Sequence, residues 1–161
     1  QNTPAARMSP PQLAWAQRDL ALWNEFWSGS EPLLWPDHFP LRTVTAQRVA
    51  ILNEATVAPL FDAAWRHNKN ISDKSVLIDV LNDAGFDGQK LVEDTNNMKI
   101  KQKLKDNTAL AISLGACGVP TYEIDGELVF GQDRIGVIED LACGWNPQTK
   151  TILLSNNVSK L

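Results

Sequence analysis

Cysteine is almost missing from this sequence: Cys117 and Cys143 are the two among 161 residues. They form no C-x-x-C pair and fit no metal-ligand spacing, so a dithiol redox motif is excluded and a reducing compartment is expected. Histidine is equally scarce. His38 and His67 have no His or Cys partner at ligand spacing, so no metal is expected. No apolar run approaches the ~18 residues that cross a bilayer, so no membrane span is expected. An excess of positive charge is lacking as well, the net charge being −4. The one basic cluster is Lys99, Lys101, Lys103 and Lys105, which alternates with Ile100, Gln102 and Leu104 on a predicted helix. It reads as a solvated face and not as a nucleic-acid patch. There is no internal repeat and no low-complexity segment.

What is present suits a packed domain. Hydrophobic residues make up 43% and charged residues 21%, enough for a core and too apolar for default disorder. The length fits one domain with an elaboration. Ser9-Pro10-Pro11-Gln12 predicts a helix start, with Ser9 as cap, Pro10 at the first helical position and Gln12 closing a capping box. Leu13, Ala16, Leu20, Trp23 and Trp27 then form a helical stripe. The dense tryptophans Trp15, Trp23, Trp27 and Trp35 read as helix–helix packing, with an apolar pocket wall as the alternative. Pro36 to Pro40 reads as an extended turn, the proline at each end disfavouring helix at Trp35 and Phe39. Helices are predicted over 43–54, from Pro59 to 67, from a Ser72-Asp73 cap to Gly85, over 88–96, and over 97–114 with Gly115 closing the last. Ile100, Leu104, Ala109, Ala111 and Ile112 form the apolar side of the last of these.

The stretch from Gly115 to Arg134 has a different pattern. Tyr122, Ile124, Leu128 and Phe130 alternate as strand residues do, and Asp125-Gly126 is a strong hairpin turn signal. Strands are therefore predicted over 121–125 and 127–130. A closing helix is predicted from Asp133, burying Ile135, Ile138 and Leu141 and stopping at Gly144. Residues 149–154 read as a further short strand. The sequence begins at Gln1 with no signal-peptide pattern, and it ends in Ser159-Lys160-Leu161, which reads as a receptor-recognised peroxisomal address; cytoplasmic or mitochondrial placement is the alternative.

A glycine, Val119-Pro120, a strand, a hairpin, a strand and a helix make the second half of a thioredoxin fold. Gly118-Val119-Pro120-Thr121, Asp125-Gly126-Glu127 and Phe130-Gly131-Gln132-Asp133-Arg134 together resemble the kappa-class glutathione transferases and 2-hydroxychromene-2-carboxylate isomerases, within the DsbA-like branch. Asn2-Thr3-Pro4, Pro36 to Pro40, Ala46-x-Arg48, Ile71-Ser72-Asp73 and Asp106-Asn107-Thr108 follow in the same family's order, so the resemblance runs from residue 2 to about 145. It implies an α/β fold, mostly helical: the C-terminal half of a thioredoxin-like fold (β-hairpin plus helices) with a large DsbA-type helical insertion. The expected division is a helical insertion over 1–96, the thioredoxin-like half over 97–145 and a tail over 146–161.

The resemblance also implies a function. It implies glutathione as cosubstrate and a small hydrophobic electrophile as the second substrate, conjugated or isomerised. It places glutathione on the Val119 backbone at a cis Val119-Pro120 bond, on Asp133 and Arg134 at a helix start, and on Asn2. The bland alternatives are a trans proline at a strand entry, Asp133 as a helix cap, and Arg134 paired with an acidic neighbour. The family lysine beyond Asn2 is unmatched, since Pro11 and Gln12 occupy that region. Cys117, where the family often has an aromatic, reads as a small buried filler in preference to a reactive thiol. The family's catalytic serine opens the helix of an N-terminal strand–helix–strand unit, which this sequence is expected to lack. Ser9, Ser28 and Ser30 stand in no such context, so no catalytic residue is identified. A catalytically inactive glutathione-binding or interaction module is the alternative reading. A two-stranded hairpin alone is marginal, so another chain (a homodimer), a swapped segment or the 149–154 stretch is expected to cover it.

Overall fold

The computed structural model describes residues 8–28 and 33–147. Seven helices and one hairpin are seen among them: α1 Pro10–Ser28, α2 Val44–Leu52, α3 Val57–Trp65, α4 Lys74–Asp83, α5 Gly88–Asp94, α6 Met98–Leu114, β1 Thr121–Ile124, β2 Glu127–Phe130 and α7 Ile135–Ala142. Short 3-10 turns, Glu54–Thr56 and Gln132–Arg134, precede α3 and α7. The chain divides into two compact units, Gln1–Asp106 and Asn107–Leu161, and the division falls inside α6. Asn2, the 149–154 stretch and Ser159-Lys160-Leu161 lie outside the described residues.

The first unit is built on α2 to α5. Its core is Ala46 and Val49 from α2, Leu60, Ala63 and Ala64 from α3, Leu77 and Leu81 from α4, and Val92 from α5, with Ile71 between. These positions recur at three and four residues, so each helix turns one apolar face inward. Local chemistry fixes the ends. Asp73 accepts the Ser75 amide at 2.8 Å and starts α4, while Ser72 is used elsewhere, its hydroxyl accepting the Arg42 amide at 2.8 Å. Asp87 accepts the Lys90 amide at 3.0 Å and starts α5. Pro59, expected to open a helix, lies inside the first turn of α3, which begins at Val57. A proline is harmless there because first-turn amides need no helical partner.

The segment before α2 is tied to the end of α3. The Leu34 amide donates to the Trp65 carbonyl at 2.6 Å. Asp37 and Asn68 exchange two hydrogen bonds, at 2.9 and 2.7 Å. Trp35, Phe39 and Trp65 pack ring on ring, with centroids 5.0 to 6.3 Å apart. The Phe39–Pro40 peptide is cis.

Two packing expectations fail. On α1, Ser9 closes its box as expected, its amide donating to Gln12 Oε1 at 2.8 Å. Among the described residues, however, no ring contact joins the tryptophans of that helix to another helix. Trp15 is 67% and Phe26 74% exposed, and the ring contacts of Trp23, Phe26 and Trp27 among the described residues are with one another. On α6 no residue is buried, and Leu110, Ile112 and Leu114 face solvent. Amphipathic spacing marks a face able to be covered; it does not supply the cover.

In the second unit α6 ends in a Schellman motif: the Gly115 amide donates to the Ile112 carbonyl and the Ala116 amide to the Ala111 carbonyl, both at 3.0 Å. β1 and β2 pair antiparallel with Thr121 opposite Phe130 and Ile124 opposite Glu127. Asp125 and Gly126, at φ 49° and 87°, make the two-residue turn, in line with a type I′ hairpin. Tyr122, Ile124 and Val129 share the face on which α7 packs, and Leu141 of α7 is buried with Val129. Ile135 and Ile138, expected in the core, are only half-buried.

Candidate functional site

The residues expected to bind a ligand in the second unit gather at the end of the hairpin opposite its turn. The Gly131 amide donates to the Pro120 carbonyl at 3.0 Å, which carries the ladder one step past Thr121 and Phe130. That bond sets Val119 on one side of the ladder's end and Gln132–Arg134 on the other. It also fixes which groups point outward. With Pro120, Tyr122 and Ile124 bonded toward β2, the amides and carbonyls of Thr121 and Glu123 point away from β2.

Val119 is 90% exposed. The Val119–Pro120 peptide is cis. Among the described residues nothing takes the Val119 amide or carbonyl. The turn beneath it is held from both sides. The Thr121 hydroxyl donates to the Gly118 carbonyl at 2.6 Å. The Phe130 ring lies over Gly118 so closely that a Cβ there would meet its Cε2 at 2.9 Å. Gly118 is therefore a close-approach glycine.

Across the ladder Gly131 has φ 108° and ψ 145°, a region essentially reserved for glycine. A Cβ at Gly131 would lie 2.6 Å from Asp133 Oδ1, so the Asp133 carboxylate folds back over this residue. The capping role open to Asp133 is not taken: neither the 3-10 turn nor α7 has a side-chain cap bond. Asp133 and Arg134 are both exposed, and no side-chain hydrogen bond or ion pair occupies either among the described residues. The helix start formed by the Gln132–Arg134 turn, whose first amides lack a helical partner by helix geometry, lies at the same place. A strand-edge amide and carbonyl, an exposed carboxylate, an exposed guanidinium and a helix start thus meet at one end of the hairpin. That set can hold a short peptide with an amino acid head group.

Cys117 stands two residues before Val119 and is exposed and unpaired, contrary to its reading as a buried filler. Ser9 is spent on Gln12, to which its hydroxyl donates at 2.9 Å. Gly131 and Phe130 shape the site without having been singled out as site residues; the run Phe130-Gly131-Gln132-Asp133-Arg134 held the signal. The first unit has its own cleft of about 330 Å³, walled by Phe39, Pro40, Leu60, Phe61, Ala64 and Trp65. Of the tryptophans read alternatively as an apolar wall, Trp15 lines an open cavity on α1 with Met8, Pro11 and Ala16, and none of the four lines the cleft beside Trp65. Among the described residues no cluster of His, Cys, Asp or Glu could hold a metal.

Helices around a small hairpin entered through Val119-Pro120 define a class, and comparison with known proteins agrees. Residues 1–142 match the DSBA-like thioredoxin domain, and the chain belongs to that family. Within it, the chain is similar to human glutathione S-transferase kappa 1, with 27% identity over 108 residues, 63% of this chain and 47% of that protein. The chain thus spans about half the length of this curated relative. Its fold is similar to that of 2-hydroxychromene-2-carboxylate isomerase, with a TM-score of 0.72 at 20% identity, covering 83% of this chain and 66% of that one. Both similarities lie in the glutathione transferase and isomerase branch that the sequence resembles.

Proposed function

We propose that this chain carries the glutathione-recognition half of a kappa-class transferase or isomerase acting on small hydrophobic electrophiles. The observation that carries the reading is the Val119 backbone, unpaired among the described residues, beside an exposed Asp133 that caps no helix. The cysteinyl backbone of glutathione pairs with the Val119 amide and carbonyl as an added strand. The γ-glutamyl carboxylate sits on the first amides of the Gln132–Arg134 helix start, and Asp133 takes the γ-glutamyl ammonium. Arg134 offers a second charge for a carboxylate. Turnover requires the glutathione thiol to lose its proton and its sulfur to attack the electrophile, displacing a leaving group or adding reversibly before isomerisation. The residue that stabilises the thiolate is a serine in the family.

The test is an assay with glutathione and chlorodinitrobenzene, using this chain and the same chain extended by a family strand–helix–strand unit. The reading expects turnover only in the extended protein. Binding without turnover in both would favour the inactive module, and turnover by the short chain alone would refute the role given to the serine. Two further parts belong to the same proposal. The outward Thr121 and Glu123 backbone groups of β1 support a second chain or a swapped segment as cover, read out by the mass in solution. Ser159-Lys160-Leu161 supports recognition by the peroxisomal import receptor, and its removal from a fluorescent fusion is expected to abolish import.

A further inference from the structure

The cleft of the first unit is lined from α2, α3 and the segment before α2, and glutathione recognition uses none of its residues. Four of its lining residues belong to the core: Ala46, Leu60, Ala64 and Ile71, each buried. Aromatic rings supply much of the rest. Phe39 and Trp65 line it with centroids 6.3 Å apart, and Trp35 packs on both, at 5.0 and 5.8 Å. Phe61 of α3 also lines it and is 63% exposed. Ala46 and Ala50, one turn apart on α2, and Ala64 on α3 are the small side chains that leave the space. Protein interiors hold few voids larger than a water, so a fixed apolar space of this size beside a core is a binding feature.

We propose that this cleft binds a neutral aromatic molecule of two fused rings bearing one hydroxyl. Size comes first. An apolar cavity of about 150 Å³ holds one benzene, and the cleft has about 330 Å³. Charge comes next. No charged side chain lines the cleft, so an ionised ligand would lose its water without gaining a partner. A peptide segment is disfavoured on the same ground, because its backbone amides and carbonyls would go unpaired against these walls. The polar groups then select the hydroxyl. Thr43 and Gln47 are the polar residues lining the cleft, and Gln47 Nε2 donates to Thr43 Oγ1 at 2.9 Å. The Gln47 carbonyl oxygen is left to accept one hydrogen bond, and Gln47 is exposed, so the acceptor stands where the cleft meets solvent. The rings rest on Phe39, Phe61 and Trp65, and the hydroxyl donates to Gln47. The inference does not rest on the glutathione reading.

Titration of the isotope-labelled full chain with 2-naphthol, without glutathione, tests it. The expected result is saturable amide shifts at Ala46, Ala50, Leu60, Phe61 and Ala64. Ala50→Phe, which fills the space from a half-buried position, is expected to weaken binding at least about tenfold. The carboxylate analogue 2-naphthoate is expected to bind at least about tenfold more weakly than 2-naphthol. Unchanged Leu77 and Leu81 amides show that the variant is folded. If Ala50→Phe does not fold, Phe61→Ala, at an exposed position, is read in the same way. Shifts that do not saturate, or that gather instead at the exposed Trp15 and Phe26 of α1, overturn the proposal. So does equal affinity in the cleft variant, or equal affinity for the carboxylate. Shifts of the same amides on raising protein concentration without 2-naphthol would assign the cleft to a second copy and overturn it as well.

Discussion

Gly131 is the residue at which one added carbon would do most harm to the candidate site. Its positive φ excludes other side chains, and the Asp133 carboxylate fills the space a Cβ would need. Gly131→Ala is expected to cost about 1–3 kcal/mol in urea unfolding and to weaken glutathione binding as Asp133 is displaced. Asp133→Ala removes a charged partner without that backbone conflict. It is expected to lower glutathione affinity about tenfold or more by calorimetry, with Cys117→Ser leaving affinity unchanged. Asp73 offers a pH test. Its bonds from the Ser75 hydroxyl and the Ser75 amide hold its carboxyl below the usual carboxylate range. A lowered folded-state value stabilises above that range and is lost as pH falls through it. The melting-temperature difference between the native chain and Asp73→Asn is therefore expected to change in favour of the variant on acidification, because Asn does not titrate. A difference independent of pH would contradict this. At this scale the sequence was most legible where a residue acts locally. Asp73, Gly115 and Asp125-Gly126 have their roles written in nearest-neighbour chemistry. The exposure of Cys117 and the folding back of Asp133 depend on groups brought together by the hairpin, and no local pattern encodes them.

Helices and strands were legible in kind, with their limits set by small competitions. The hairpin followed from alternation and its turn, and Gly85, Gly115 and Gly144 end their helices as expected, each with positive φ. Pro59 misled because a proline suits several positions in a first turn. The apolar sides of α1 and α6 misled differently. Periodicity shows what a helix could bury, but Trp15, Phe26, Leu110 and Ile112 remain exposed among the described residues. Cover is found on α2 to α5, where Leu77 and Leu81 are fully buried, and on α7, where Leu141 is buried against the hairpin. Leu81→Ala is expected to cost about 2–5 kcal/mol through lost burial and a cavity, measured as a shift in the denaturation midpoint of the first unit.

The chain as a whole comprises two units, one with a helical core and one organised around a hairpin, and the proposed ligand belongs to the second. Ligand binding stabilises what it touches in proportion to the logarithm of ligand over dissociation constant. Glutathione is therefore expected to slow exchange in the second unit and to leave the Val49, Leu77 and Leu81 amides unchanged. The central claim is that the open end of the hairpin recognises glutathione. The most direct measurement is a titration of the isotope-labelled chain with reduced glutathione, followed by amide shifts residue by residue. The account predicts saturable shifts confined to Gly118, Val119 and the Gly131 to Val137 stretch, lost in Asp133→Ala. No shift at saturating glutathione, or the same shifts in Asp133→Ala, would contradict it.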